Sequence, residues 1–401
     1  MDLLDLSLAL IISKLFGEGM IRLKQMAVLG ELFTGVLFAL AMNYVPAIHL
    51  YYFGHTFSYK VHLTGEAFDL FADLGIILLL FIAGLETDIG DLKRSGKRGL
   101  STASLGVTLP FIFGTVFGLK VMHFASRQSL VLGAIFTATS VGVTVRSLMD
   151  LGQLRSIAGT TIITAAVIDD IIGILVLTFV LGTQTIGGLI GGFLIFIAII
   201  AVFAMGPTEQ IMRFAHEKMH SPYAIVSIAI GFGLFFAVVA REVGLAPITG
   251  AYFAGLLLSA THEKKVIDGP INFIARAVFV PFFFIKVGSL FDFKMLTAVD
   301  PKLFLLIIFA AVGKFIGCGS GSLLSRIKIK DAIRVGAGMM PEMEVALVIA
   351  TYAYSMHIFP DIVGKQVVSV TVLYVVISAI IVPILLKTLF GKEPTLSTIN
   401  G

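Results

Sequence analysis

The chain reads as an all-α integral membrane protein with thirteen transmembrane helices, and three observations lead there. Of its 401 residues, 57% are hydrophobic and only 13% charged, about half the charged share of a soluble domain. The apolar residues gather in blocks of about 20, the length that crosses a bilayer as helix. Two of the blocks are interrupted by Gly-, Pro- and hydroxyl-containing stretches at matching places in the two halves of the chain. This composition leaves no material for a sizeable soluble domain. The net charge of +4 is scattered over loops and gives no basic stripe for nucleic acid. Cys318 is alone, which excludes a disulfide framework and a thiolate metal site.

Taken in order, the spans centre on residues 4–21, 25–42, 66–86, 99–121, 128–148, 157–180, 186–206, 222–240, 245–261, 271–290, 302–323, 332–356 and 366–388. The first begins MDLLDLSLALIISKL, acidic where a signal peptide is basic and without a small-residue cleavage site, so it is read as a retained helix. The connections are short except for an aromatic, His-containing loop from Asn43 to Thr64. With the N-terminus outside, 19 Lys and Arg fall on the inward side, Arg146 and the cluster Lys93, Arg94, Lys97 and Arg98 among them. Only 7 fall outward, while Arg276, Lys286 and Lys314 lie within spans. The positive-inside rule then orients the chain with its N-terminus outside and its C-terminus in the cytoplasm, in the cytoplasmic membrane.

The halves repeat weakly. Gly30 and Gly35 of the second span match Gly250 and Gly255 of the ninth, and Gly84-x3-Asp88 matches Gly288-x3-Asp292. The interruption Thr137–Gly142 in the fifth span matches Gly338–Glu344 in the twelfth. Each match pairs span n with span n+7. Seven is odd, so the copies run through the bilayer in opposite directions. Inverted repeats with matched broken helices are the mark of a secondary transporter whose site lies at the breaks.

The chemistry centres on Asp169-Asp170 in TIITAAVIDDIIGILVLTF. Each carboxylate at mid-bilayer would cost roughly 2.5–3.5 kcal/mol if it faced lipid, so the pair reads as an ion or proton site. Neighbours on a helix sit about 100° apart; one can line a watery cavity while the other meets a partner helix. Thr139 and Ser140 in the first break offer hydroxyl and carbonyl oxygens, hard donors suited to a small alkali cation. Lys314, mid-span in LLIIFAAVGKFIGCG, needs an anion, and Asp169 is the natural one. Glu342 and Glu344 flank the second break beside Pro341, and Lys286 of the tenth span is expected to pair with one of them. Glu31 reads as facing the same cavity, and Glu86 as a solvated span end.

GELFTGVLFA, LLLFIAGLETD, TATSVGVTVRSLMDLG, AAVIDDIIGILVL, VGKFIG and MPEMEVALVIA, from about Leu29 to the last span, resemble successive signature stretches of one family. These are the bacterial and archaeal sodium/proton antiporters of the cation:proton antiporter-2 family. The resemblance implies thirteen helices with two inverted five-helix repeats and two discontinuous crossing helices, in a homodimer. It implies a dimerisation or gate domain over residues 1–98 and 207–298 and a moving core over 99–183 and 299–390, joined by a linker helix at 184–206. Asp170 would be the ion-binding carboxylate, Asp169 its Lys-paired neighbour, Lys314 that lysine, and Thr139 a residue at the crossing. An Asp-Asp pair with the lysine goes with electrogenic exchange. Where relatives often carry Arg after the Pro of the second break, this chain has Glu342, and Lys286 is additional.

The expected activity is exchange of Na+ or Li+ for H+ by elevator-type alternating access, the cation held by Asp170, Asp169, Thr139 and Ser140. It needs no cofactor and no enzymatic step, its surroundings are lipid, and about a dozen residues after the last span leave no regulatory nucleotide-binding domain. A K+/H+ antiporter of the same fold is the close alternative. An intramembrane aspartyl protease would need its acids on different helices, and a cation channel a selectivity filter.

Overall fold

The computed structural model describes residues 3–391 except 24, 45–47, 53–54, 60–64, 88, 138, 182–185, 222 and 291–298; at some further helical positions, Asp170 and Glu344 among them, it describes the backbone and not the side chain. A chain in hydrocarbon must satisfy its backbone polar groups within each segment, and most of the described residues are helical. The first part comprises α1 (Leu3–Arg22), α2 (Ala27–Tyr44), a hairpin of β1 (Ile48–Tyr52) on β2 (His55–Tyr59), α3 (Glu66–Glu86) and α4 (Ile89–Lys120). Then come α5 (Ser126–Ile135), α6 (Gly142–Asp150), α7 (Ile157–Leu181), α8 (Ile186–Ala204) and α9 (Pro207–Lys218). The chain continues through α10 (Ala224–Glu242), α11 (Pro247–Ser259), α12 (Lys264–Ile274), a π-helical turn (Ala275–Phe279) and α13 (Val280–Ser289). It closes with α14 (Pro301–Leu324), α15 (Ile329–Gly338), α16 (Glu344–Ser355) and α17 (Asp361–Phe390).

Each expected stretch holds a helix or an interrupted pair. By length and hydropathy six of the described helices qualify as spans, or seven if α8 and α9, bent by 48°, count as one. The pairs α5–α6 and α15–α16 miss that test because each half has only 9 to 12 residues. Their starts and stops follow local chemistry elsewhere. Asp300 caps α14 by accepting the Lys302 N–H at 2.8 Å, with Pro301 in the first turn. Gly391, at φ 67°, closes α17.

Three features depart from the sequence expectation. The Asn43–Thr64 stretch contains the hairpin rather than an open loop. The tenth span starts earlier, at Lys264, and carries the π turn around Arg276. Arg146, counted above as a loop cation, is instead buried in α6 (6% exposed), where Asp150 one turn later pairs with it at 3.2 Å.

Helices in lipid gain little from burying apolar surface against each other and rely on close packing at small residues. Here those contacts reproduce the repeat. A Cβ on Gly35 of α2 would strike the Ile285 carbonyl and Gly288 of α13; one on Gly255 of α11 would strike the Phe81 carbonyl and the Leu85 nitrogen of α3. Gly288 in turn rests on Leu32 of α2, and Gly84 on Tyr252 of α11. Gly30 lies on Phe16 and Gly17 of α1, as Gly250 lies on Phe236 and Ala237 of α10. The matched spans α4 and α14 lie side by side and antiparallel, Gly321 on Ser101, Gly317 on Leu105 and Gly313 on Pro110. Antiparallel mates are what an inverted repeat requires.

Candidate functional site

Both helix interruptions have local causes. After Ile135 the chain tightens, with the N–H groups of Phe136 and Thr137 bonded three residues back, and the Thr137 hydroxyl donates to the Ala134 carbonyl at 2.8 Å. After Gly338, Pro341 has no N–H to donate and disfavours helix at Met340. Each interruption leaves carbonyls of one half-helix and N–H groups of the next without helical partners.

The two interruptions cross and supply part of what each lacks. The Ser140 N–H donates to the Pro341 carbonyl at 2.8 Å. The Thr139 hydroxyl donates to the Met339 carbonyl at 3.3 Å, and the Thr144 hydroxyl to the Gly338 carbonyl at 2.6 Å. Tyr374 of α17 donates its hydroxyl to the Met340 carbonyl at 2.9 Å. The first break therefore donates and the second accepts.

Asp169 closes the arrangement from α7. It is fully buried, its Oδ2 accepts the Thr139 N–H at 2.6 Å, and its Oδ1 lies 3.2 Å from Lys314 Nζ. Lys314, equally buried in α14, also donates to the Thr137 carbonyl at the end of α5. A cation there offsets the partial negative charge of a helix C-terminus as well as the carboxylate. A buried acid and base are tolerable only when paired and hydrogen-bonded, and both conditions are met. Asp169 also has a counterpart in the other half: Tyr374, about 200 residues on, serves the second break from α17 as Asp169 serves the first from α7.

The structure thus brings Asp169, Thr139, Ser140, Lys314 and Glu342 to one crossing. Ser140 and Glu342 are buried there, with the Ser140 hydroxyl and both Glu342 oxygens lacking partners among the described residues. The side chains of Asp170 and Glu344 lie outside the described residues. Lys286 is a correction. It does not pair with Glu342; it lies 2.9 Å from Asp69 and 3.3 Å from Asp73, both half-way exposed or more, on the first turns of α3. The cause is geometric, because α13 packs along α3, and the partially wet acids there solvate an ammonium far better than the dry crossing does.

Two groups of functional interest escaped the sequence reading. Tyr374 and Thr144 gave no signal beyond being polar atoms in apolar helices. A second charged cluster joins Arg276 of the π turn to Asp150 of α6 (3.6 Å), and Asp150 to Arg146. Beside it Lys14 of α1 bonds Glu31 of α2 at 3.3 Å and the Arg276 carbonyl at 2.8 Å, so Glu31 belongs to this cluster and is not at the crossing. Arg146 and Asp150 stand four apart, a spacing that signals a helical ion pair; nothing in the sequence marks Arg276 as the third member.

Long apolar helices, matched interruptions that cross, and a dry acid–base pair at the crossing define a membrane ion-transporting protein. Comparison with known proteins carries this further. Residues 7–392 match the family model described as "Sodium/hydrogen exchanger, transmembrane". The chain is 34% identical over 354 residues to the probable Na+/H+ antiporter GerT of Bacillus cereus, covering 86% of this chain and 89% of that protein. It is 32% identical over 395 residues to the Na+/H+-K+ antiporter GerN of the same organism, covering 97% and 96%. The structure of the sodium proton antiporter MjNhaP1 from Methanocaldococcus jannaschii at pH 8 shares its fold, with a TM-score of 0.64 over 97% of both chains at 15% identity. This chain belongs to the sodium/hydrogen exchanger family, a family of multi-pass membrane transporters and not of enzymes.

Proposed function

We propose that the protein exchanges Na+ (or Li+) for H+ across the cytoplasmic membrane, electrogenically, with cation and protons competing for Asp169 and Asp170. The observation that carries this reading is a fully buried carboxylate, Asp169, fixed at the crossing of two interrupted helices between a backbone N–H and a lysine. In the empty site Lys314 holds Asp169 in place. A cation entering from either side is bound by the ionised Asp170, the oxygens of Thr139 and Ser140, and water. Protonation expels it, because a neutral acid is a poor ligand and adjacent acids take up protons in coupled steps. The site can cross the bilayer only when its charge is neutralised by cation or proton, since bare carboxylates in a dry passage cost too much. That condition turns two separate leaks into exchange.

The moving part in this reading is the core of residues 99–183 and 299–390, sliding as an elevator against a gate and dimerisation unit of residues 1–98 and 207–298, with 184–206 as the link. The seam beside the site supports it. Leu80 of α3 and Ile248 of α11 face Val141, Val145, Ile163 and Ala166 of the break, α6 and α7 across a narrow cleft. The lining is mostly apolar, with Thr249 and Tyr252 its polar members, so displacement there largely replaces like with like. The assembly is read as a homodimer, with the N-terminus outside and the C-terminus in the cytoplasm.

K+ in place of Na+ is the second reading, and the name of one relative, a Na+/H+-K+ antiporter, favours it. Proton release from everted vesicles on addition of Na+, Li+ or K+ at several pH values tests both. Saturable release with Na+ or Li+ supports the first reading, release with K+ alone supports the second, and no release with any of the three contradicts exchange.

A further inference from the structure

Glu31 plays no part in the cycle above, yet it is a buried acid only half provided for. In α2 it is 1% exposed, with one carboxyl oxygen 3.3 Å from Lys14 and the other without a partner among the described residues. Arg146 of α6 is in the complementary position. Its guanidinium is buried, its Nε donates to Asp150 at 3.2 Å, and its Nη1 has no partner among the described residues. Asp150 and Glu31 are the acids whose fields act on Arg146.

Buried polar groups are nearly always hydrogen-bonded, and an exception calls for a cause. Here the two unpartnered atoms are an acid's oxygen and a base's nitrogen, and they belong to opposite units of the proposed elevator. Glu31 lies in the gate and Arg146 in the core. Charges alternate along this seam. On α6 Arg146 stands one turn before Asp150; on the gate side Glu31 acts on Arg146, and Arg276 lies 3.6 Å from Asp150. Lys14 ties the two gate members together by bonding Glu31 and the Arg276 carbonyl.

Plus therefore faces minus at both levels. A displacement of one turn along α6, about 6 Å, carries Arg146 toward Arg276 or Asp150 toward Glu31, like charge toward like. A contact made in only one of two positions shifts the balance between them by its differential strength. Arg146 and Asp150 together carry no net charge, so a moving core gains none from them, in keeping with the neutrality that crossing requires.

We propose that Glu31 is a positioning residue for exchange: through Arg146, and beside the Arg276–Asp150 contact, it fixes the core in the register seen here. It must release Arg146 before the site can change sides. Its carboxylate touches neither the cation nor the exchanged proton. The proposal rests on the sliding-core reading and adds to it the acid that defines one end position.

The test reads the position of the core directly. Cysteines replacing Lys265 in α12 and Lys328 just before α15, both exposed, carry spin labels in a Cys318→Ala background. Double electron–electron resonance of the full chain in lipid nanodiscs then reports gate-to-core distances. In the wild type one distance dominates. Glu31→Gln keeps the shape and removes the charge. It should raise the ratio of a second distance to the first by about 2- to 30-fold, the range for single contacts that bias a two-state element. Arg276→Gln should raise it in the same direction. A merely structural Glu31 would lower the melting temperature on substitution and leave the distance ratio unchanged, and that result overturns the proposal. Should Glu31→Gln fail to fold, Glu31→Asp, which keeps the charge beside Lys14 but draws it back by one methylene, replaces it with the same expected direction. If Arg276→Gln also leaves the ratio unchanged, and the wild type shows one distance with and without NaCl while exchange proceeds, the sliding core itself falls and the proposal with it.

Discussion

Lys314 reaches Asp169 from 145 residues away, and the two meet fully buried at 3.2 Å. The pair ties the two halves of the chain together, since α7 and α14 belong to different repeats. Removing one member strands the other. Lys314→Met should destabilise the protein by about 3–5 kcal/mol, seen as a lowered melting temperature in detergent. The double change Lys314→Met with Asp169→Asn should recover much of that loss, because no charge is left unpaired. A double variant as unstable as the single would show that the ammonium's bond to the Thr137 carbonyl, and not the ion pair, is what matters.

The glycine seams make a symmetric prediction. At Gly35 and Gly255 the atom in the way of a Cβ is a backbone carbonyl, which no rotamer change can move. Alanine at either site should therefore cost about 1–3 kcal/mol, the usual penalty of overpacking. Gly231 in α10 has nothing within 4 Å of a new Cβ, and Gly231→Ala should be neutral or slightly stabilising. Thermal melts of the three variants check this.

Lys286 should matter little to stability. Its ion pairs with Asp69 and Asp73 are a third or more exposed on both sides, and such pairs contribute at most about 1 kcal/mol, less in high salt. Lys286→Met should melt within that margin of the wild type, with the difference shrinking as NaCl rises. A large, salt-independent loss would mean that the lysine has a buried partner.

Arg276 and Asp150 sit on opposite units of the proposed elevator, 3.6 Å apart. A sliding core must separate them. Cysteines at both positions, in a Cys318→Ala background, joined by a short bismaleimide should stop cation-driven proton movement. The unlinked double-cysteine protein is the control, and continued exchange in the linked protein would rule out relative movement at this contact.

Much of this architecture is legible in the sequence because membrane helices obey few rules. Hydropathy blocks mark the helices. Thr137–Gly142 and Gly338–Glu344 announce the breaks by residue type. Lys314 and Asp169 are found as partners because each is intolerable alone in an apolar span. What stays hidden depends on the packing of distant segments. The sequence offers Lys286 two partners, Glu342 and Glu344, and only the approach of α13 to α3 brings it to Asp69 and Asp73 and away from Glu342. The π turn at Ala275–Phe279 follows from no residue pattern, and the Arg276–Asp150 contact follows from that turn. Gly35 and Gly255 are visible as a repeat, but that they mark helix crossings is seen only when each is placed against its neighbour's carbonyl.

If cation and proton compete for one site, acidification should raise the Na+ concentration for half-maximal exchange and leave the maximal rate at saturating Na+ largely unchanged. Initial rates in proteoliposomes over a range of pH check this. A fall in maximal rate with an unchanged half-saturation point would indicate a separate regulatory titration.

The central claim is that one acidic doublet is the seat of exchange, and it is tested most directly by Asp170→Asn reconstituted in proteoliposomes beside the wild type. The account predicts that the folded variant moves no protons on addition of Na+, Li+ or K+. Retained cation-driven proton movement would contradict it.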